Sequence, residues 1–85
     1  MMIETKYVII DGSAIVFSGA IQHKDMVGYG EIASGAGFVR FAAGVDVNGE
    51  VERLVAKTYG ESISLGIKSR PEDEEKINRQ ILNNY

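Results

Sequence analysis

The chain has 85 residues, with nine Lys and Arg against twelve Asp and Glu, no cysteine, and a net charge of −3. That length allows one small domain over residues 1–85, whose core withdraws only about 60–65% of the unfolded chain's surface from water. Disulfides and thiolate metal sites are excluded, the acidic balance gives no general attraction to nucleic acid or anionic membrane, and no apolar run reaches the ~18 residues of a membrane span. The N-terminus has no signal-peptide pattern, so a soluble, cytoplasmic protein is expected. A core this small favours a homo-oligomer that shares buried surface between copies.

Thr5-Lys-Tyr-Val-Ile-Ile10 is dense in strand formers and predicts a first strand. Asp11-Gly12 is a strong hairpin signal, and Ala14–Phe17 reads as the returning strand. Ser18 is placed to cap a short helix carrying Ile21, Met26 and Val27, which Gly28 and Gly30 would stop. Between residues 28 and 50 glycine permits several paths; Phe38–Phe41 is the clearest strand there, and the segment Gly28 to Phe38 reads as a flexible loop followed by a strand entered through a glycine bend. Asn48-Gly49 is a second hairpin signal, with Val51–Thr58 as the return. Residues 59–67 alternate, placing Ile63, Leu65 and Ile67 on one face and Ser62, Ser64 and Gly66 on the other.

The last element has the clearest start signals. Ser69-Arg70-Pro71-Glu72 fits a capping box with Ser69 as N-cap, Pro71 sits in the first turn, and Glu72 to Glu75 complement the helix dipole. Ile77 and Ile81, with Leu82 at the margin, form a narrow apolar stripe, and Asn83-Asn84 suits the end. The predicted fold is α+β: an antiparallel, bent sheet of about five strands, a short helix, and a C-terminal helix packed on the sheet.

No catalytic signature stands out. His23 is the lone histidine and reads as a surface or hydrogen-bonding residue, and no nucleophile elbow accompanies the serines. The glycines of segment 28–38 match neither a phosphate loop nor a dinucleotide fingerprint; they are alternatively the floor of a pocket. The run 72–75 lacks calcium-loop spacing and reads as a solvated helical turn. No metal or cofactor is expected. One constellation carries binding chemistry: Ser62, Ser64, Lys68, Ser69 and Arg70 gather toward the start of the last helix, whose free N–H groups attract anions. Arg70 adds a planar fork for phosphate and Lys68 a point charge. The competing reading is that Ser69 only caps, Arg70 pairs with a local carboxylate, and the serines face water. Arg40 lies in phase with Phe38 on the pleat and extends the candidate set.

The segments Ala14-Ile-Val-Phe-Ser18, Ile21-Gln-His-Lys-Asp-Met26, Gly35-Ala-Gly-Phe-Val39, Tyr59-Gly-Glu-Ser-Ile-Ser-Leu65 and Lys68-Ser-Arg-Pro-Glu-Asp73 resemble small bacteriophage proteins. Among them they are similar to the anti-defence "sponge" proteins that counter Thoeris immunity. The resemblance implies a non-enzymatic protein of an infected or lysogenic host's cytoplasm. It would bind a nucleotide second messenger, a cyclic ADP-ribose variant or a cyclic oligonucleotide, in pockets of a homo-oligomer and not degrade it. For such a ligand Arg70 and Arg40 would meet phosphate, and Phe17, Phe38 and Tyr59 would wall the base. The alternative is a phage or mobile-element adaptor acting through protein contacts, which predicts an exposed apolar patch or an open strand edge.

Overall fold

Strand β1 (Thr5–Ile10) lies inside the molecule, and Tyr7 through Ile10 are all buried. Consecutive burial means that both faces of this strand are covered, as its unbroken apolar run requires. The computed structural model describes residues 4–45 and 47–83. β1 turns through Asp11 and Gly12, both at positive φ (51° and 77°), into β2 (Ser13–Ser18), a two-residue hairpin. On its other side β1 pairs antiparallel with β3 (Ala33–Val45), which returns through β4 (Val51–Tyr59). The main sheet therefore has the order β2-β1-β3-β4. A small two-stranded sheet follows, β5 (Glu61–Ser62) with β6 (Ile67–Lys68), and then helix α1 (Pro71–Gln80). The α+β architecture, the antiparallel sheet and the packed C-terminal helix agree with expectation; the strands divide as four and two.

The alternation of side chains along β1 assigns the two faces. Tyr7 and Ile9 point to α1, forming one core with Val39, Ala56 and Ile77. Val8 and Ile10 point the other way, forming a second core with Phe17, Ala33 and Ala36, closed by Met26, Val27, Leu65 and Ile67. A bulge at Ser34 keeps Ala33 and Ala36 on that same side.

Helix α1 crosses the sheet and takes up backbone groups on both its edges. Ten residues make about 15 Å of helix, close to the ~14 Å spanned by four strands. On β4, the Thr58 N–H donates to Glu74 Oε1 (2.8 Å) and the Ala56 N–H to Asn78 Oδ1 (2.8 Å), while Asn78 Nδ2 donates to the Ala56 carbonyl. At the opposite edge, Gln80 accepts the Ala14 N–H and donates to the Gly12 carbonyl, each at 2.8 Å. Amide and carboxylate side chains thus take the place of a neighbouring strand. Beyond the reach of β1, β3 and β4 continue as a two-stranded arm on which Phe41, Val45 and Leu54 stay exposed.

Three local expectations are corrected. Residues 59–67 are not one alternating strand: Ser62 is 1% exposed and Ile63 91%. The Gly66 N–H returns to the Ser62 carbonyl at 2.8 Å and the Leu65 N–H to Ser62 Oγ at 3.2 Å, so a serine-anchored turn overrides the alternation. Ser18 does not cap a helix. It accepts the Ala20 N–H on Oγ and the Ile21 N–H on its carbonyl, a local turn, and only a single 3-10 turn, His23–Met26, follows. The N-cap of α1 is Arg70, not Ser69, and the residue reaching back to it is Asp73, not Glu72. Asn83 ends the helix region at φ 57°; Asn84 lies outside the described residues.

Candidate functional site

Sheet register builds the site from one transverse row. Phe17, Lys6, Phe38 and Tyr59 are successive cross-strand partners on β2, β1, β3 and β4, so their side chains share the face away from α1. His23, from the 3-10 turn, settles onto this row and is 3% exposed. Its ring meets Phe17 edge to face (5.5 Å, 85°) and Phe38 likewise (5.9 Å, 88°), while the Tyr59 ring stacks on Phe38 at 5.6 Å. Because a carbonyl can only accept, the 2.8 Å contact between His23 Nε2 and the Gly37 oxygen places a proton on Nε2.

A cavity of about 510 Å³ opens above this row. Phe38 and His23 form its floor, Lys6 and Gln22 one side, and Glu61, Ile63 and Ser64 of the β5–β6 hairpin the other. Lys6 Nζ donates to the Ile21 carbonyl (2.9 Å) and lies 5.9 Å from the Phe38 ring centre. An ammonium has three donors, and among the described residues only this one bond uses them, so charge and donors remain for a guest. The Arg40 guanidinium lies over Tyr59 at 5.6 Å and prolongs the aromatic–cation surface toward the arm. The walls therefore offer an apolar floor, one cation, one carboxylate and one amide.

The opposite face carries a closed polar latch. Tyr7 Oη donates to Asp73 Oδ2 at 2.7 Å, inside the protein. Arg70 donates its backbone N–H to the same oxygen (3.0 Å), and its Nε and Nη2 to Oδ1 (3.0 and 2.7 Å). Burial, followed by the hydrogen bond to Asp73 and the charge of that carboxylate, pushes the Tyr7 phenol well above its ordinary pKa. The same carboxylate, chiefly through its hydrogen bond, raises the Arg70 guanidinium. Gly35 is the reason that Asp73 fits: a methyl group there would lie 2.2 Å from one carboxylate oxygen.

The sequence-predicted residues divide between these places. Phe38 and Ser64 line the cavity, Tyr59 stacks on Phe38 with Arg40 over its ring, Phe17 supports His23, and Ser62 lies beside Ser64 at 3.4 Å between hydroxyls. The serines do not converge on the helix start: Ser64 Oγ instead accepts the Lys24 N–H. Ser69 donates its hydroxyl to the Gly60 carbonyl at 2.8 Å, Lys68 is exposed on β6, and Arg70 is committed to Asp73 across the sheet from the cavity. The run 72–75 is only partly a solvated turn, since Asp73 is fully buried. Lys6, Gln22, His23, Glu61 and Ile63 also line the cavity, and no sequence motif marks them as a group. Lys6 left a signal, being in phase with Val8 and Ile10 and thus on a covered face.

Among the described residues no three His, Asp or Glu side chains gather as metal ligands, and no helix is long and apolar enough to cross a membrane. No protein-family model matches the chain, and no curated protein or solved structure is significantly similar to it.

Proposed function

We propose that this protein binds a nucleotide-derived second messenger in the cavity above the Phe17–Lys6–Phe38–Tyr59 row and holds it unchanged, as a sponge of the phage anti-defence type. The observation that carries this reading is the pairing of an aromatic floor with the uncommitted donors of Lys6. Phosphate needs a cation, a base needs a flat apolar wall, and ribose hydroxyls need acceptors such as Glu61. Retention demands tight binding only, so a site of hydrogen bonds and ring contacts suffices for it. The protein acts in the cytoplasm of an infected or lysogenic bacterial host as a homo-oligomer, with Phe41 and Leu54 of the arm buried between copies.

Native mass spectrometry with cyclic ADP-ribose isomers and cyclic oligonucleotides tests the reading. One retained ligand mass per site in an oligomer is the expected result, with the ligand recovered intact by chromatography after prolonged incubation. A monomer that retains no member of the panel refutes it. The same exposed arm favours a second reading, an adaptor acting by protein contacts. Phe41, Leu54 and Val45 are 39%, 47% and 61% exposed, whereas Glu74, Asn78 and Gln80 occupy backbone groups on both sheet edges. An apolar face, not strand addition at those positions, would then be the contact.

A further inference from the structure

His23 is 97% buried, yet only one of its two ring nitrogens is engaged. Nε2–H is bound to the Gly37 carbonyl, and among the described residues nothing contacts Nδ1 by a hydrogen bond. Nor is Nδ1 an orphan sealed inside the core, since among the described residues no buried side-chain nitrogen or oxygen lacks a partner. The residue lines the cavity, and Nδ1 is the ring nitrogen left free to accept from its contents. Two perpendicular rings, Phe17 and Phe38, prevent the imidazole from turning away.

With its proton held on Nε2, a neutral imidazole presents a lone pair at Nδ1. We propose that His23 Nδ1 is a specificity-determining acceptor of this cavity, taking a hydrogen bond from an N–H or O–H group on the base or ribose of the bound nucleotide. This rests on the nucleotide reading above and adds a demand to it. The ligand places its phosphate at Lys6 and a donor group at His23. A phosphate oxygen carries no proton to give to Nδ1, so the two positions are not interchangeable. Desolvation sharpens the selection, because a guest without a donor there leaves a buried acceptor unsatisfied.

The chain has a single histidine, so its ring nitrogens can be followed without assignment ambiguity. Long-range proton–nitrogen correlation spectra at about pH 8, where imidazole is ordinarily neutral, should show Nε2 protonated and Nδ1 bare in the free protein. Saturation with the cyclic ADP-ribose isomer or cyclic oligonucleotide that binds by calorimetry should move the Nδ1 resonance upfield and leave Nε2 nearly in place. His23→Gln, whose amide can still donate toward Gly37, should weaken that ligand about five- to tenfold while leaving the oligomer mass unchanged.

Binding with an unmoved Nδ1 overturns the His23 assignment and leaves the nucleotide reading standing. A bare Nε2 with protonated Nδ1 in the free protein overturns the assignment as well. If nothing in the panel binds, both fall together. Should the Gln variant fail to fold, the spectra of the unaltered protein decide.

Discussion

Gly35→Ala tests the latch that joins α1 to the sheet. The backbone at Gly35 is not in the left-handed region, so any cost is steric. The new methyl would lie 2.2 and 2.5 Å from the two Asp73 oxygens, against an ordinary contact of 3.4–4 Å, so the carboxylate must retreat by roughly 1 Å. It cannot do so freely. Tyr7 and the Arg70 side chain hold it at 2.7 Å, and the Arg70 backbone holds it at 3.0 Å. Overpacking of this kind costs about 1–3 kcal/mol, and losing the buried bond between Tyr7 and a charged partner about 1.5–3 kcal/mol. A total of about 2.5–6 kcal/mol is expected, a large share of the roughly 4–13 kcal/mol that such a domain possesses. Urea titration followed by far-ultraviolet circular dichroism gives the number; the chain has no tryptophan for fluorescence. In a Tyr7→Phe background one of the threatened bonds is already gone, so Gly35→Ala should cost less there, by about 0.5 kcal/mol or more. A cost below about 1 kcal/mol, or full additivity with Tyr7→Phe, would show that Asp73 is not fixed by these contacts.

Alkali should attack the same latch. The Tyr7 phenol is raised above its unfolded value of about 10, so the folded state keeps a proton that the unfolded chain releases. The stability it contributes is complete below pH ~10 and falls by about 1.4 kcal/mol per pH unit as pH rises toward the folded pKa, a slope that Tyr7→Phe should remove in urea titrations at stepped pH. Arg70→Ala and Lys6→Gln should separate stability from binding. The first should lower the melting temperature and leave nucleotide affinity within about twofold; the second should weaken nucleotide binding about tenfold or more at nearly unchanged stability, in paired calorimetric titrations and melts. Leu54→Glu should reduce the oligomer to monomer in sedimentation while the circular dichroism spectrum is retained, and an unchanged mass would remove the arm from the interface.

What the sequence disclosed, and what it did not, follows from the range of the forces involved. Asp11-Gly12 and Asn48-Gly49 act over two residues, and both hairpins form around them. Spacing alone does not separate a helix start at Ser69 from one at Arg70, because Ser69-x-x-Glu72 and Arg70-x-x-Asp73 are equally spaced. Only the third dimension, in which Asp73 also meets Tyr7 and the space above Gly35, decides between them. That same contact removed Arg70 from the anion constellation in favour of the local-carboxylate alternative. Ser62 through Gly66 failed differently: side-chain-to-backbone bonds at Ser62 closed a turn that apolar alternation alone could not disclose. The cavity was legible only in part. Phe17, Phe38 and Tyr59 were visible as aromatic strand residues, but their alignment with Lys6 depends on the register of four strands, and His23 reaches them from a segment with no strong pattern.

Register also ties the two faces together. Tyr7 and Lys6 are neighbours on β1, one bound to Asp73 beneath the sheet and the other beside the cavity above it. A slip of β1 by one residue would send Lys6 into the helix-facing core and the Tyr7 hydroxyl into the aromatic row. The buried Tyr7–Asp73–Arg70 bonds oppose that slip, since a core of aliphatic side chains alone discriminates poorly between adjacent registers. Tyr7 also faces Gly37 across the ladder, and the Gly37 carbonyl is what sets the proton on His23. The ladder thereby connects the latch to the residue that holds His23 as well as to the core. Loss of the latch through Tyr7→Phe should broaden the His23 ring resonances in the folded protein, whereas a purely stabilising role would leave them sharp.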